Sequence, residues 1–287
     1  MDILKLLRLQ QWSKNLTIYV VLLASGNYDF ELFKDLSIVF IGFSLIVSST
    51  YIVNDIVDRK SDREHPSKKN RPIATGKVSN NFAIKFSTTI FFVGKLILYS
   101  ININLLIFSS LYVVITLFYS YKIKYIKYLD ILSVTFLFLV RLVIGGVAIE
   151  IEVSTPLFLF VFFTCLGIVS SKKYSILNNN ELRNSKVKKF LIANYKDQDL
   201  KNVIHISFIF SIITYTSWII LNNRSSLLDT SSTILYLSLI IYVFIIYEII
   251  QKTYLLETEE IIEMMISNNK MLLFLLIFLF LFVLGTI

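Results

Sequence analysis

Long apolar stretches alternate with short polar connections along the whole of the 287-residue chain. Each stretch can cross roughly 30 Å of hydrocarbon as a helix, and no period-2 alternation typical of membrane strands recurs. The pattern therefore predicts an all-α polytopic membrane protein, with nine transmembrane helices in a single domain covering residues 1–287. The predicted spans are Trp12–Gly26, Leu36–Val53, Phe82–Ser100, Ile101–Tyr119, Leu129–Ile149, Pro156–Val169, Val203–Leu221, Ser232–Tyr247 and Met271–Ile287.

The charges between these spans predict the orientation of the protein. Lys and Arg are concentrated in alternate connections, at about residues 54–81, 120–128, 170–202 and 248–270. Because loops rich in Lys and Arg stay on the cytoplasmic side, these four connections are expected to be cytoplasmic. The N-terminus is then cytoplasmic as well, and the C-terminus lies outside, as an odd number of spans requires.

Composition adds two exclusions. The net charge of +8 could suggest nucleic-acid binding, but segregation of the basic residues between helices is what membrane orientation alone requires, so no nucleic-acid partner is expected. The single cysteine, Cys165, lies in an apolar run, so neither a disulfide nor a multi-thiolate metal site is available. The oligomeric state is not readable from these patterns.

A group of acidic residues begins where the second predicted span ends, in the sequence N-D-I-V-D-R-K-S-D. At about 100° per residue, Asn54, Asp58 and Asp62 share one face of a helix and Asp55 lies at its edge; we call these four residues the carboxylate face. Like charges at this spacing repel each other, so the face needs a cation or another partner. Oxygen ligands without Cys or His favour Mg²⁺, which combines a few carboxylates with substrate phosphates. The pattern favours a magnesium-held diphosphate over a solvated helix end whose acids pair with neighbouring Lys and Arg.

A basic segment, E-H-P-S-K-K-N-R-P-I-A-T-G-K, follows the carboxylate face. Cations beside a metal-carboxylate cluster suit the remaining charge of a polyphosphate. Arg71 is expected to make a directed contact with such a ligand. His65, Lys68 and Lys69 could each contact phosphate or be ordinary surface charges of a cytoplasmic loop.

Arg141 lies at about mid-bilayer depth, roughly 18 Å along the fifth predicted helix from Leu129. An ionisable residue at that depth is costly unless it faces a polar cavity or a partner. It could bind an acceptor phosphate, or it could pair with a carboxylate for structural reasons, and the sequence leaves both roles open.

The motif Asn54–Asp62 resembles the first signature, NDxxDxxxD, of the UbiA superfamily of intramembrane prenyltransferases. The resemblance implies a UbiA-like helix bundle in a bacterial inner membrane, with an active-site cap that faces the cytoplasm. Typical members carry a second Asp-rich motif after the sixth span. Here that stretch reads S-S-K-K-Y-S-I-L-N-N-N-E-L-R, which offers Lys172 and Lys173 in place of carboxylates.

Several further motifs resemble the decaprenyl-phosphate phosphoribosyltransferase group of that superfamily. They are L-R-L-Q-Q-W-S-K-N, D-R-E-H-P-S-K-K-N-R-P-I-A-T-G, Y-S-Y-K-I-K, V-R-L-V-I-G-G-V-A and K-K-Y. The resemblance implies Mg²⁺-dependent transfer of phosphoribosyl from 5-phosphoribosyl 1-diphosphate to a polyprenyl phosphate, with release of diphosphate, in cell-envelope biosynthesis. It implies Mg²⁺ on Asn54, Asp55, Asp58 and Asp62, of which Asp58 and Asp62 are the expected catalytic residues. The expected substrate-binding residues are Lys14, His65, Lys68, Lys69, Arg71, Tyr121, Lys124, Arg141, Lys172 and Lys173.

Two other functions compete with this one. A UbiA-type prenyltransferase that moves a prenyl group to an aromatic or quinone precursor would use the same fold and carboxylate face, and Asp197 and Asp199 could be a displaced remnant of its second motif. A non-enzymatic transporter of an anionic metabolite is the other alternative. Transporters typically show paired half-structures and helices broken at mid-membrane, and neither pattern is evident in the sequence.

Overall fold

The computed structural model describes residues 2–63, 68–179, 186–222, 230–256 and 268–287. These ranges consist of helices and their connections, and no strand occurs among them, so the predicted all-α class is confirmed. Numbered in chain order, the α-helices are α1 Asp2–Leu7, α2 Val20–Ser25, α3 Phe30–Val57, α4 Arg59–Arg63, α5 Asn80–Ile101, α6 Asn104–Tyr121, α7 Leu129–Ala148, α8 Thr155–Asn178, α9 Lys186–Asn194, α10 Asp197–Asn222, α11 Thr230–Tyr254 and α12 Asn269–Thr286. Short 3₁₀ helices cover Leu9–Tyr19, Lys68–Asn70 and Ile123–Tyr125.

Eight helices in the described part of the chain are long and apolar enough to cross a membrane: α3, α5, α6, α7, α8, α10, α11 and α12. They correspond to the last eight predicted spans. Several are longer than predicted, and α8 continues to Asn178 where the predicted span ended at Val169. The hydrophobic pattern stops at the first polar residues, whereas the backbone hydrogen bonds of a helix continue past them into the connection.

The first predicted span, Trp12–Gly26, is built differently from the others. The 3₁₀ helix Leu9–Tyr19 leads directly into α2, so no single long α-helix forms there. Because a 3₁₀ helix rises about 2.0 Å per residue and an α-helix about 1.5 Å, the two together extend roughly 30 Å. The count of nine spans is not confirmed by the eight long helices, although this segment has the length of a span.

The chain divides into two compact units, the first comprising Met1–Val20, Asp29–Ile123 and Val140–Ile151. In this unit α3 packs closely against α5, since a Cβ atom on Gly94 would lie only 2.5 Å from the carbonyl oxygen of Gly42. Small residues allow two membrane helices to approach in this way without a side chain between their backbones.

The 3₁₀ helix of the first unit packs just as closely on the second half of α7. A Cβ atom on Gly145 would lie 2.1 Å from the carbonyl oxygen of Ile18, which is itself fully buried. Glycine at this position is therefore what lets the first apolar segment lie against α7.

The second unit comprises Val21–Tyr28, Lys124–Leu139 and Glu152–Ile287. Its helices α8, α10, α11 and α12 pack around buried aromatic rings, and Tyr242 satisfies its hydroxyl within this core by bonding to Ser211 at 2.9 Å. Cys165 of α8 is buried, as its apolar surroundings in the sequence suggested.

Candidate active site

The carboxylate face lies at the C-terminal end of α3 and in the short helix that follows it. Asn54 and Asp55 belong to α3, and Asp58 caps it by donating its N–H to the carbonyl of Asn54 at 2.8 Å. The N–H of Asp62 in turn bonds to the carbonyl of Asp58 at 2.8 Å. The helical course continues past the end of α3 with one irregular residue, Asp58, whose φ is −85° and ψ is 4°.

Arg71 joins two acids of the carboxylate face. Its Nη1 donates to Oδ1 of Asp55 at 2.9 Å and to Oδ2 of Asp62 at 2.7 Å. Both carboxylates are buried, with 5% and 3% of their surface exposed respectively. The two acceptor oxygens are therefore at most 5.6 Å apart, the sum of the two contacts. Charge-assisted bonds of this kind are stronger than bonds between neutral groups, so Arg71 holds the two side chains together.

The segment that carries Arg71 is anchored by its backbone and by a hydrophobic cluster. The N–H of Arg71 donates to the carbonyl of Lys68 at 3.0 Å, and its own carbonyl accepts from Thr75 at 2.9 Å. Two residues further on, Ile73 is fully buried in a cluster that also contains Ile52 of α3. The chain therefore folds back onto α3, and this fold-back places the Arg71 side chain on the carboxylate face.

Arg8 is a further cation on this face, and it was not among the residues predicted for the site. Its Nη2 is ion-paired with Oδ1 of Asp55, the same oxygen that Arg71 contacts, and its guanidinium lies 4.9 Å from the centre of the Tyr51 ring. Burial lowers the pKa of Arg8, and the nearby Asp55 opposes that shift. In the sequence, Arg8 is one basic residue ahead of the first apolar stretch, which membrane orientation explains equally well.

Lys68 is a third cation near these acids. Its pKa is lowered first by burial and then by repulsion from Arg71, while Asp62 and Asp58 act to raise it. Three cations, Arg8, Lys68 and Arg71, therefore lie near the three carboxylates of the face among the described residues of the first unit.

The donor set of the carboxylate face fits the implied Mg²⁺ ion in chemistry. All four side chains offer oxygen, the donor that Mg²⁺ prefers. Within the described ranges, no three His, Cys, Asp or Glu side chains already surround a common point where a metal could bind. Nη1 of Arg71 contacts both Asp55 and Asp62, the two buried carboxylates of this set.

Arg141 is also part of the first unit and is 3% exposed. Its Nε donates to Oδ1 of Asn15 at 2.8 Å, and its Nη2 donates to the hydroxyl of Tyr112 at 3.0 Å. Asn15 donates onward to the hydroxyl of Ser44 at 2.8 Å. Hydrogen bonds to these polar side chains offset part of the cost of burying a guanidinium.

The remaining predicted residues of the first unit are more peripheral. Lys14 donates to the side chain of Gln11 at 2.6 Å. Lys69 is exposed, and Tyr121 is 86% exposed at the end of α6. His65 lies outside the described residues.

Lys173 belongs to the second unit, where it forms a buried ion pair with Asp130. The Nζ–Oδ2 distance is 2.9 Å, and the two side chains are 8% and 0% exposed. The other oxygen of Asp130 accepts from the hydroxyl of Tyr195 at 2.5 Å, and that hydroxyl accepts from the N–H of Tyr128 at 2.7 Å. Burial and the bond to Asp130 raise the pKa of Tyr195. The ammonium that was predicted to bind phosphate is thus held by an internal carboxylate.

The other two predicted cations of the second unit have different surroundings from Lys173. Lys172, its neighbour in α8, is half-buried. Lys124 lies with its Nζ 5.3 Å from the centre of the Tyr125 ring.

The fold and this site together define a multi-pass, all-α membrane protein whose acids and cations cluster where a spanning helix ends. Residues 15–268 match the UbiA prenyltransferase family, and the chain belongs to that family. It is accordingly a transferase, and the alternative of a non-enzymatic transporter is not supported.

The chain is similar to relatives that bear a more specific name. It is 32% identical over 233 residues to the decaprenyl-phosphate phosphoribosyltransferase of Mycolicibacterium smegmatis, covering 79% of this chain and 73% of the relative. The enzyme of the same name from Corynebacterium glutamicum is 30% identical over 220 residues, covering 75% and 66% respectively. The resemblance inferred from the motifs is confirmed by these matches.

A solved structure shares the fold. It is that of a UbiA homolog from Archaeoglobus fulgidus bound to DMAPP and Mg²⁺, with a TM-score of 0.72 at 15% identity, covering 99% of this chain and 98% of the other.

Proposed function

We propose that this protein transfers a 5-phosphoribosyl group from 5-phosphoribosyl 1-diphosphate to a polyprenyl phosphate and releases diphosphate. The observation that carries the proposal is the carboxylate face itself, where Arg71 bridges two buried acids at 2.9 and 2.7 Å. The names of relatives about 30% identical over most of the chain support phosphoribosyl as the transferred group.

In this proposal Asn54, Asp55, Asp58 and Asp62 would hold a Mg²⁺ ion beside the donor diphosphate. When bound, the ion would supply positive charge against the leaving group. A structural neighbour of this fold was solved with Mg²⁺, which supports the choice of metal.

The chain's own cations have a separate role in the reaction. The bond between C1 of ribose and the diphosphate oxygen breaks, the diphosphate leaves with the electron pair, and a new C1–O bond forms to the lipid phosphate. Arg71 and Lys68 are proposed to turn from the carboxylates to the diphosphate and stabilise its growing negative charge. The attacking phosphate is already anionic, so the step requires no general base from the protein.

Other predicted contacts are part of the proposal. Arg141 is proposed to contact the acceptor phosphate, although its bonds to Asn15 and Tyr112 are equally compatible with a structural role. For Lys173, the buried ion pair with Asp130 favours a structural role over a phosphate contact. The remaining proposed substrate contacts are Lys14, His65, Lys69, Tyr121, Lys124 and Lys172.

The proposal also includes the location of the site. The Lys- and Arg-rich connections favour a bacterial inner-membrane protein with the N-terminus and active site in the cytoplasm and the C-terminus outside. A water-soluble sugar diphosphate would then reach the site from the cytoplasm.

The test is a transfer assay with purified protein, ribose-labelled 5-phosphoribosyl 1-diphosphate and polyprenyl phosphate, with and without Mg²⁺. We expect label in the lipid fraction only with Mg²⁺, and none with Asp58→Asn. The same protein is assayed in parallel with a prenyl diphosphate and an aromatic acceptor, because a structural neighbour was solved with DMAPP. Transfer in that reaction alone would replace the phosphoribosyl proposal by prenyl transfer.

A further inference from the structure

Arg8 contacts an acid of the carboxylate face but has no role in the proposal so far. It shares Oδ1 of Asp55 with Arg71, so this one buried oxygen receives two guanidinium groups. The two arginines differ in their remaining contacts. Arg71 also bonds to Asp62, whereas Arg8 lies over the ring of Tyr51, one turn before Asp55 on α3.

The backbone around Arg8 is fixed to α3 by neighbouring contacts. The indole Nε1 of Trp12 donates to the hydroxyl of Ser48 at 3.0 Å, and that hydroxyl donates to the carbonyl of Leu7 at 2.7 Å. The same indole lies 3.3 Å from the carbonyl of Leu7. The residue directly before Arg8 is therefore tied to α3 two turns ahead of Asp55.

Contacts made by Leu7 and Arg8 follow one stripe of α3. Ser48, Tyr51 and Asp55 are spaced by three and four residues, which places them on the same side of a helix. Leu6 is 2% exposed and packs in the hydrophobic cluster around Ile52. The N-terminal segment is thus laid along the part of α3 that leads to the carboxylate face.

Arg8 itself has an unusual backbone conformation. Its φ of 49° and ψ of 53° lie in the left-handed region, which is strained for a residue with a side chain. This conformation stands at the start of the 3₁₀ helix, where the chain turns away from α1. A strained residue that is tied down by its neighbours and directed at a buried acid is typical of a positioning role.

We infer that Arg8 is a positioning residue, which orients the carboxylate of Asp55 for the metal. Arg71, in contrast, is the cation that turns from the carboxylates to the donor diphosphate. The inference rests on the proposed function only in requiring a metal-held diphosphate on the carboxylate face. Groups that orient a metal ligand in this way typically contribute 10- to 100-fold to metal affinity.

The test compares Arg8→Met, which removes the charge, with Arg8→Lys, which keeps the charge but not the forked geometry. Lys5→Met is the matched control, because Lys5 is an exposed cation three residues away on the same segment. Binding of Mn²⁺ in the presence of inorganic diphosphate is measured by electron paramagnetic resonance, with no donor or acceptor present. Melting temperature is recorded for every variant.

We expect Arg8→Met to weaken Mn²⁺ binding by about 10- to 100-fold, Arg8→Lys to recover part of the loss, and Lys5→Met to match the unaltered protein. In transfer assays at saturating Mg²⁺, the donor KM should stay within twofold of its original value. If Arg8→Met does not fold, Arg8→Lys alone decides, and unchanged Mn²⁺ affinity in that variant overturns the inference.

Two further results would overturn it. A raised donor KM with unchanged Mn²⁺ affinity would make Arg8 a direct phosphate ligand. A lower melting temperature with unchanged Mn²⁺ affinity would make it purely structural. Because Mn²⁺ binding uses inorganic diphosphate, failure of phosphoribosyl transfer would refute the proposed function and leave this result standing.

Discussion

Lys173 should stabilise the second unit, so its replacement by Met should lower the melting temperature of the protein. Its position after the sixth predicted span makes it a candidate phosphate ligand, but its ammonium lies 2.9 Å from Asp130 in the interior of the second unit. The perturbation is Lys173→Met, which keeps most of the side-chain volume and removes the charge. Asp130 would then be left as a buried carboxylate bonded to Tyr195.

The expected size of the effect follows from the burial of the pair. Because Lys173 and Asp130 are 8% and 0% exposed, solvent screening is small. Removing one partner of a buried ion pair costs about 3–5 kcal/mol, since it leaves the other charge uncompensated. At about 2–4 °C for each kcal/mol, the melting temperature should fall by roughly 6–20 °C.

The assay is thermal denaturation in detergent micelles, with Lys172→Met as the matched control. Lys172 is the adjacent residue and is half-buried, so its loss should have a much smaller effect. The double variant Asp130→Asn, Lys173→Met should regain most of the lost stability, because it leaves no unpaired charge. A melting temperature equal to that of Lys172→Met, together with a donor KM at least tenfold higher, would refute this reasoning and restore Lys173 as a phosphate ligand.

Three other substitutions have defined expected outcomes. Arg141→Gln should raise the KM for the lipid acceptor at least tenfold with little change in the donor KM; a drop in melting temperature alone would assign a structural role. Tyr195→Phe removes the 2.5 Å bond to Asp130 and should cost about 1–3 kcal/mol of stability in thermal denaturation, whereas an unchanged melting temperature would mean that this bond contributes nothing. Gly145→Val would direct a side chain onto the carbonyl of Ile18, where even a Cβ atom lies at 2.1 Å, and should destabilise the protein by at least about 1–3 kcal/mol; normal stability would contradict the close packing.

The membrane fold was predictable because it depends on the length and spacing of apolar stretches. The eight long helices follow those stretches, including α7, whose observed bounds Leu129–Ala148 differ from the predicted ones by one residue. The local form of the first apolar stretch was not predictable, because hydropathy does not distinguish a 3₁₀ helix from an α-helix. In that segment the backbone of Ile18 lies against Gly145, a contact between residues far apart in sequence.

The acids of the site were identifiable from their spacing, since helical periodicity brings them to one side. Their partners were harder to predict. Arg71 lies in the adjoining segment, so its place in the site could be predicted from the neighbouring sequence. Arg8 is 47 residues from Asp55 and is placed by the packing of Leu6 and Trp12 on α3. Basic residues near membrane spans are explained by orientation alone, so the sequence offers no signal that separates Arg8 from its neighbours.

The buried network of the second unit shows a similar limit. Tyr195 and Asp130 are 65 residues apart and meet only through the tertiary fold. The sequence therefore predicts Lys173 to be a cation of a cytoplasmic loop, whereas in the structure it is buried beside the carboxylate of Asp130.

The measurement that tests the central claim most directly is binding of labelled 5-phosphoribosyl 1-diphosphate to the purified protein, without lipid acceptor, across a titration of Mg²⁺. The account holds that the carboxylate face is the donor site, so binding should require Mg²⁺, be abolished by Asp62→Asn and weaken at least tenfold in Arg71→Met. Lys85→Met serves as the comparison, because Lys85 is an exposed cation of α5 with no part in the proposed site, and its loss should affect affinity by less than threefold. Binding that persists without Mg²⁺, or that survives both Asp62→Asn and Arg71→Met, would show that the donor is held elsewhere and would contradict the account.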